Sequence, residues 1–358
     1  MNLTILYMMN LHNSFGSSNY CREIAMGLSK NNKVSVICNN NTLQTKRIKI
    51  LDVKGPKFNS FQDWVTYPKK FKAVVEKYYY LLKKTKTDII HVHHISHLVP
   101  IAKKFKESNN IPIFCTCHGS EINEDIKREY FKEYLKNIKE YDKLIAVSNY
   151  VKKKLISLKI KKNKIETIYP GIFFPKKLPK KKSTKKINIL FVGRITKDKG
   201  ILFLIDVFKR VSKKNKRVFL NIVGSGDLLQ QIKKETKNIK NIKIHGYIPR
   251  KKLNFLYNSC DFVTIPSLWE EPFGITALEA ISYSKPVICF KKGGLPEIID
   301  KNVGFCIKKK EEFEEAMLKL ISNKNLIKRL SKNCRKKAEQ FLWETSIKKY
   351  KNLFNEFL

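Results

Sequence analysis

Residues 262–279 read Phe262-Val263-Thr264-Ile265-Pro266-Ser267-Leu268-Trp269-Glu270-Glu271-Pro272-Phe273-Gly274-Ile275-Thr276-Ala277-Leu278-Glu279. Phe262–Ile265 is a short run of β-branched and aromatic residues, the composition of a buried strand. Pro266 ends it, Pro272 and Gly274 mark a tight turn, and Ile275–Tyr283 takes up helical spacing. A strand running through a loop into a helix is half of a βαβ unit. In parallel sheets built from such units, ligands sit outside the carboxyl ends of the strands. The first N–H groups of the helix, near Phe273, Gly274 and Ile275, lack helical partners and suit phosphate or sugar oxygens. Glu271 stands at the helix entrance and Glu279 one turn inside, about 6 Å further along the axis. A carboxylate accepts both hydroxyls of a vicinal diol, so the two bracket a ligand with separate hydroxyl-bearing parts, a ribose at one end and a hexose at the other. The plainer alternative makes Glu271 a charge near a helix start and Glu279 a surface residue.

The same alternation extends in both directions. Ile187–Val192, Val218–Val223, Ile242–His245 and Pro286–Phe290 read as further strands of the second half. Ile201–Lys213, Asp227–Glu235, Leu253–Asn258 and Lys310–Ser322 read as its helices, and helical spacing continues through Lys332–Leu358. In the first half, Leu3–Met8, Lys33–Cys38, Ile89–Val92, Ile113–Thr116, Lys143–Val147 and Ile165–Ile168 alternate with helical stretches Tyr20–Leu28, Trp64–Lys83, Val99–Lys106, Arg128–Ile138 and Val151–Leu158. Between the halves, the Lys/Pro stretch 175–185 breaks both periodicities and reads as a solvated hinge. The expected fold class is α/β with two doubly wound domains: residues 1–174, a basic linker 175–186, and 187–341. The tail, about 342–358, is expected to cross back to the first domain.

Unusual residues follow the strands of both halves. Phe15-Gly16-Ser17-Ser18 opens the first helix, and Cys117-His118-Gly119-Ser120-Glu121 follows Ile113–Thr116. Gly193-Arg194 with Lys199-Gly200 follows Ile187–Val192, and Lys292-Gly293-Gly294-Leu295-Pro296-Glu297 follows Pro286–Phe290. Two sets of strand-end loops suggest a single ligand cleft between the domains. Arg194 and Lys199 beside a helix start form an anion site, the guanidinium supplying planar bidentate contact. In a chain with 73 Lys and Arg, the pair also reads as a solvated face.

The chain has 358 residues with 42% hydrophobic and 11% aromatic side chains, enough to fill full-sized cores and exclude disorder as the main state. The formal net charge of +42 invites a nucleic-acid or membrane-surface reading. Residues 1–175 carry 31 basic and 14 acidic side chains and residues 187–358 carry 35 and 17, so the charge is a uniform lysine habit rather than one patch. No run has the 18 or so apolar residues of a membrane span, and the apolar start Met1–Met9 lacks a basic n-region and cleavage site, so it reads as a strand. Eight scattered cysteines do not resemble a disulfide framework, and Cys115 and Cys117 have no second pair to complete a zinc set. The expected compartment is the reducing cytoplasm. His93 and His97 share helical spacing without the glutamate of a metalloprotease, and Gly224-Ser225-Gly226 lacks the third glycine of a dinucleotide fingerprint, Leu229 standing there. His91, His93 and His94 are expected to pack or hydrogen-bond at the cleft wall.

The segment Ser267–Ala280 resembles the Glu, seven residues, Glu signature of retaining glycosyltransferases of the family-4 type (group 1 glycosyl transferases, GT-B fold). Phe191-Val192-Gly193-Arg194, Lys199-Gly200, Val223-Gly224-Ser225-Gly226, His245-Gly246-Tyr247, Pro266-Ser267, Lys285-Pro286-Val287 and Gly293–Glu297 are similar to family segments in family order. So are His91-Val92-His93-His94, Thr116-Cys117-His118-Gly119, Ala146-Val147-Ser148 and Pro170-Gly171 in the first half, so the resemblance spans essentially the whole chain. The sequence departs from the pattern at Phe15-Gly16-Ser17-Ser18, where a double glycine is usual. It also departs at Pro170-Gly171, which lacks an intervening asparagine, and at Ser284-Lys285, in place of a small residue and glycine.

The resemblance implies two Rossmann-like domains facing a central cleft, with a C-terminal helix crossing back. It further implies transfer of a hexose from a UDP- or GDP-sugar to a glycan or lipid-linked hydroxyl, with retention and with no metal or other cofactor, as in cell-envelope polysaccharide synthesis. By position it gives Arg194 and Lys199 the donor diphosphate. Glu271, with N–H groups near Phe273, Gly274 and Ile275, takes the transferred sugar, and Glu279 the ribose. Gly16 takes a phosphate oxygen and His118 the donor sugar near the reaction centre. The base pocket is expected near Gly246-Tyr247-Ile248 and Leu253. A nucleotide-sugar epimerase of the same fold is the nearest alternative. A nucleic-acid-binding protein is the alternative from another class, without a zinc-finger, RNP or helix-turn-helix signature to support it. Basic residues at 69, 70, 72 and 77, and at 152–154 and 159–164, suit an anionic membrane surface.

Overall fold

The structure is a computed structural model and describes residues 1–11, 16–55, 68–96, 98–124, 129–175 and 186–358. The chain divides into two compact units, Met1–Gly171 with Trp343–Leu358, and Ile172–Leu342.

In the first unit, β1 (Asn2–Leu6), β2 (Lys33–Asn39), β3 (Lys49–Val53), β4 (Ile89–His93), β5 (Ile113–Cys117), β6 (Lys143–Ala146) and β7 (Ile165–Thr167) form a sheet in the order β3-β2-β1-β4-β5-β6-β7. Its strand pairings are parallel. The central strands β4 and β5 are buried at all five positions, as expected where helices cover both faces and apolar residues run without alternation. The chain returns to this unit through the helix Trp343–Asn355, which buries Trp343, Tyr350, Leu353 and Phe354. A Cβ at Gly171 would lie 2.5 Å from the Trp343 backbone, so the glycine is what lets the two crossing segments touch.

The second unit holds β8 (Ile187–Val192), β9 (Val218–Val223), β10 (Ile242–Gly246), β11 (Phe262–Ile265), β12 (Val287–Phe290) and β13 (Gly304–Ile307), ordered β10-β9-β8-β11-β12-β13 and paired in parallel. Ile189, Phe191, Leu220, Ile222, Phe262 and Ile288 meet Leu204, Phe208 and Phe313 of the covering helices in one core. Both sheets reverse strand order next to their first strand, at β1/β4 and β8/β11, which is where doubly wound sheets open a crevice for ligands.

Two strands had no counterpart in the sequence reading. Lys49–Val53 and Gly304–Ile307 are edge strands paired on one side; the first is only partly buried and carries Lys49 and Asp52, and the second is an apolar stretch of only four residues that opens on a glycine. The first helix begins at Gly16 rather than Tyr20, which makes Gly16 its first residue instead of part of a preceding turn. The expected helices 64–83 and 128–138 are seen as Pro68–Lys83 and Glu129–Ile138. Residues 64–67 and 128, Phe15, His97 and the linker core 176–185 lie outside the described residues. The helical tail is two helices, Lys324–Ala338 and Trp343–Asn355, separated by a 3-10 turn at Glu339–Phe341. All eight cysteines are free.

Candidate active site

In the second unit, β8 ends at Val192 and the chain passes through Gly193 and Arg194 to a 3-10 turn, Lys197–Lys199, before the helix Ile201–Lys214. Lys199 Nζ meets Glu271 Oε1 at 2.6 Å and lies 4.4 Å above the Trp269 ring. The lysine and glutamate are both about 15% exposed, so the pair is screened from bulk water on most sides yet open on one. An ammonium carries three donors, which leaves Lys199 able to meet an anion without releasing Glu271. Arg194 is exposed and donates from Nη2 to Asp198 Oδ2 at 2.9 Å. Thr196 donates its hydroxyl to the other oxygen of Asp198. The Asp198 backbone carbonyl accepts the N–H groups of Leu268 at 2.8 Å and Trp269 at 3.1 Å, tying the loop after β8 to the loop after β11.

A third loop fixes Glu271 from below. Gly294 N–H donates to the Glu271 carbonyl at 2.7 Å, and Gly293 has φ 58°. A Cβ on Gly293 would fall 2.0 Å from the Glu271 carbonyl oxygen, so this close approach is open to glycine alone. Gly274, at φ 110°, turns the chain into the helix Ile275–Ser282, whose first N–H groups have no side-chain cap among the described residues. Glu279, expected one turn inside, is buried rather than on the surface. Its Oε1 pairs with Arg250 Nε at 2.5 Å and its Oε2 accepts from Tyr257 Oη at 2.9 Å. A carboxylate has about four lone-pair sites, so two remain for a diol. Burial and the Glu279 carboxylate push the Tyr257 phenol well above its ordinary value, which keeps it a donor. Tyr283 stacks on Tyr257 at 5.1 Å. Tyr247 is exposed, at the end of β10.

In the first unit, β4 and β5 end beside one another and carry His91, His93, His94 and His118. Glu121 is buried; its Oε1 accepts the His118 backbone N–H at 2.8 Å and its Oε2 accepts from His94 Nδ1 at 3.3 Å. Burial alone would raise this carboxyl, but the facing His94 ring and hydrogen bonding bring it down to about 2. His94 has φ 69° and lies against His118 with ring centroids 4.3 Å apart. The edge of Tyr20 covers His118 at 5.3 Å. His93 Nδ1 lies 3.0 Å from His118 Nε2. Burial holds the His93 and His118 imidazoles far below their ordinary values, helped by neighbouring rings, and brings His91 down to about 3, so these rings are neutral.

A buried hydroxyl chain backs this cluster, and its direction is fixed. Tyr20 donates to the Ile168 carbonyl at 3.2 Å, which uses its one hydrogen. Tyr350 therefore donates to Tyr20 at 2.9 Å, and Thr116 to Tyr350 at 2.7 Å. His91 Nε2 must then carry the hydrogen given to Thr116 Oγ1 at 2.8 Å. Gly16 opens its helix at the unit's surface, and Tyr7 Oη bonds the next two side chains, Ser17 at 3.1 Å and Ser18 at 2.8 Å.

The sequence residues of the second unit thus fall into two groups, Arg194, Lys199, Glu271, Phe273, Gly274 and Ile275 along the knitted loops, and Glu279 with its own partners. Asp198, Arg250 and Tyr257 were not anticipated there, nor Tyr20 in the first unit, while Trp269 and Glu121 stood in the strand-end loops without an expected role. Asp198 carried a signal, standing four residues after Arg194; Arg250 carried none, being one cation in an Arg-Lys-Lys run. Among the described residues, no three His, Cys, Asp or Glu side chains converge to hold a metal ion.

The profile of the glycosyl transferases group 1 matches residues 173–337, and that of Glycosyltransferase Family 4 matches residues 16–173. An uncharacterized glycosyltransferase of Methanocaldococcus jannaschii is 30% identical over 277 residues, covering 75% of each chain. The chain belongs to the group 1 glycosyl transferases. This group 1 chain is similar in structure to sucrose-phosphate synthase from Thermosynechococcus elongatus, with a TM-score of 0.81 at 17% identity over 99% of this chain and 98% of that one. It is also similar to Anabaena HepE, solved in complex with UDP and glucose, with a TM-score of 0.76 at 17% identity over 99% of both chains. The two parallel sheets are accordingly those of a GT-B glycosyltransferase.

Proposed function

We propose that this glycosyltransferase moves a hexose from a UDP- or GDP-sugar to a hydroxyl of a glycan or lipid-linked acceptor, with retention at the anomeric carbon and without a metal. The observation that carries the reading is the Lys199–Glu271 contact at 2.6 Å, with Glu271 four residues before the Ile275–Ser282 helix. It sets a cation for a diphosphate beside a carboxylate for sugar hydroxyls, as the family pattern implies for these positions. HepE, a protein of the same fold, binds UDP and glucose. In this reading the charge growing on the departing diphosphate is met by Arg194, Lys199 and the N–H groups near Gly274, and Glu271 holds the transferred sugar. Glu279 takes the ribose diol in exchange for part of its contact with Arg250, Tyr247 lies at the base pocket, Gly16 meets a phosphate oxygen and His118 the sugar. The acceptor hydroxyl attacks from the leaving-group face and passes its proton to a phosphate oxygen.

Thermal shift against UDP-, GDP- and ADP-sugars tests the reading. One nucleotide family is expected to raise the melting temperature, and nucleoside diphosphate should appear only when an acceptor is added. No shift with any of them, or release without acceptor, overturns it. Arg194→Ala is expected to abolish transfer with the fold intact. No helix among the described residues is long and apolar enough to cross a membrane. Exposed Lys153, Lys159, Lys161 and Lys162 support contact with an anionic lipid surface, at about 1 kcal/mol per cation. Equal sedimentation with neutral and anionic liposomes would remove that contact.

A further inference from the structure

Three histidines of the first unit share a pattern. Each has one ring nitrogen in a hydrogen bond and the other buried without a partner among the described residues: His91 Nδ1, His93 Nε2 and His94 Nε2. For a neutral ring this asymmetry decides the tautomer. A buried N–H with no acceptor costs more than a bare lone pair with no donor, and orphaned N–H groups are correspondingly rare. The hydrogen therefore sits on the bonded nitrogen. His91 checks this rule independently, because the directed chain from the Ile168 carbonyl through Tyr20, Tyr350 and Thr116 also requires the hydrogen on His91 Nε2. His94 Nδ1 faces the Glu121 carboxylate, an acceptor, and so carries a hydrogen there.

At His93 the rule reaches the candidate site. Its bonded nitrogen, Nδ1, faces His118 Nε2 at 3.0 Å, and only one hydrogen fits between them. If His118 supplied it, His93 would be left with an N–H on its sealed Nε2. With the hydrogen on His93 Nδ1, His118 Nε2 accepts, and the hydrogen of a neutral His118 must lie on Nδ1. We propose that His93 is a positioning residue that fixes His118 in the Nδ1–H tautomer, so that His118 offers its ligand an N–H donor and not a lone pair. Glu121 on the His118 backbone N–H and the His94 ring against its face hold the imidazole in that orientation. The consequence for catalysis rests on the assignment of His118 to the donor sugar: an N–H donor suits a sugar hydroxyl or phosphate oxygen and cannot serve as a general base.

Long-range proton–nitrogen NMR of the full-length protein labelled with 15N-histidine, at pH 7.5 and without ligand, reads the tautomers directly. There are seven histidines, and the His118 signals are those lost in His118→Gln. The expected wild-type spectrum shows His118 protonated at Nδ1 and bare at Nε2. A wild-type ring protonated at Nε2 overturns the proposal whatever the variants do. His93→Asn, whose amide can donate from about the Nδ1 position, should keep the tautomer, and His93→Leu should give a mixture. In transfer assays His93→Leu is expected to lower kcat at least tenfold with the KM for nucleotide sugar within threefold, and His93→Asn to recover most of it. A fall in both variants alike would make His93 a packing residue and overturn the positioning role. If the tautomer stands while His118→Gln transfers normally, the assignment of His118 to the sugar has failed and the role of His93 in setting the tautomer has not.

Discussion

The two strand-end clusters solve different electrostatic problems. In the second unit the chemistry rests on formal charges: Lys199 against Glu271 and Arg194 against Asp198 on loops tied together through their backbones, and Arg250 against Glu279 beside them. In the first unit it rests on the imidazoles of His91, His93 and His118, held neutral by burial, and on hydroxyls in a buried chain, with Glu121 as the charge at its edge. Paired charges that remain partly open to solvent are ready to take up an anion whose charge changes. A buried neutral network, with each hydrogen assigned, instead holds fixed donors at fixed angles and needs no reorganisation.

Acid should separate the two most strongly. His91 and His93 have folded pKa values below the unfolded value of about 6.5, so their contribution to stability is complete above that pH and is lost as pH falls toward the folded values. Each is expected to cost up to about 1.4 kcal/mol per pH unit in that window. Glu121, also lowered, adds its loss only below about pH 4.5. Urea unfolding at pH 7.5 and 5.0 checks this, and an unchanged midpoint would mean that the histidines are not held neutral.

Lys199→Ala attacks the charged side of the comparison. It removes an anion contact and leaves Glu271 without its lysine, and turnover should fall roughly a hundredfold, or about 3 kcal/mol. Acceptor-dependent release of nucleoside diphosphate measures it, and near-normal turnover would show that the pair is only structural. Gly293→Ala tests whether the loops of the second unit depend on backbone contact. The new Cβ meets the Glu271 carbonyl and the residue is held at φ 58°, so a loss of about 1–3 kcal/mol is expected in thermal unfolding. Tyr257→Phe sharpens the picture least, deleting one hydrogen bond to Glu279. Nucleotide binding by calorimetry should weaken about fivefold, near 1 kcal/mol.

How legible these features were depended on how local they are. Ile187–Val192, Val218–Val223 and Phe262–Ile265 occupy the spans that their composition marks, because central strands of a parallel sheet are apolar on both faces. The edge strand Lys49–Val53 is marked less clearly because charged residues interrupt it, and Gly304–Ile307 because it is only four residues long and opens on a glycine. Lys199 and Glu271 are each visible in a short motif of turn residues and charge, whereas their contact across 72 positions is not. Arg250 joining Glu279, and Tyr350 reaching Thr116 across 234 positions, leave no local trace.

The sequence by itself determined the alternation of strands and helices, the strand ends at which polar residues gather, and the family to which the pattern points. These follow from neighbours along the chain: apolar periodicity, proline and glycine in turns, and charges beside helix starts. Only the tertiary structure decided which charges neutralise one another, that Glu279 is buried, that the helix Trp343–Asn355 supplies Tyr350 to the hydroxyl chain of the first unit, and which nitrogen of each histidine carries its hydrogen. The reason is physical. A hydrogen bond is set by distance and angle in space, and the partners that satisfy a buried group come from whichever segments the core brings together.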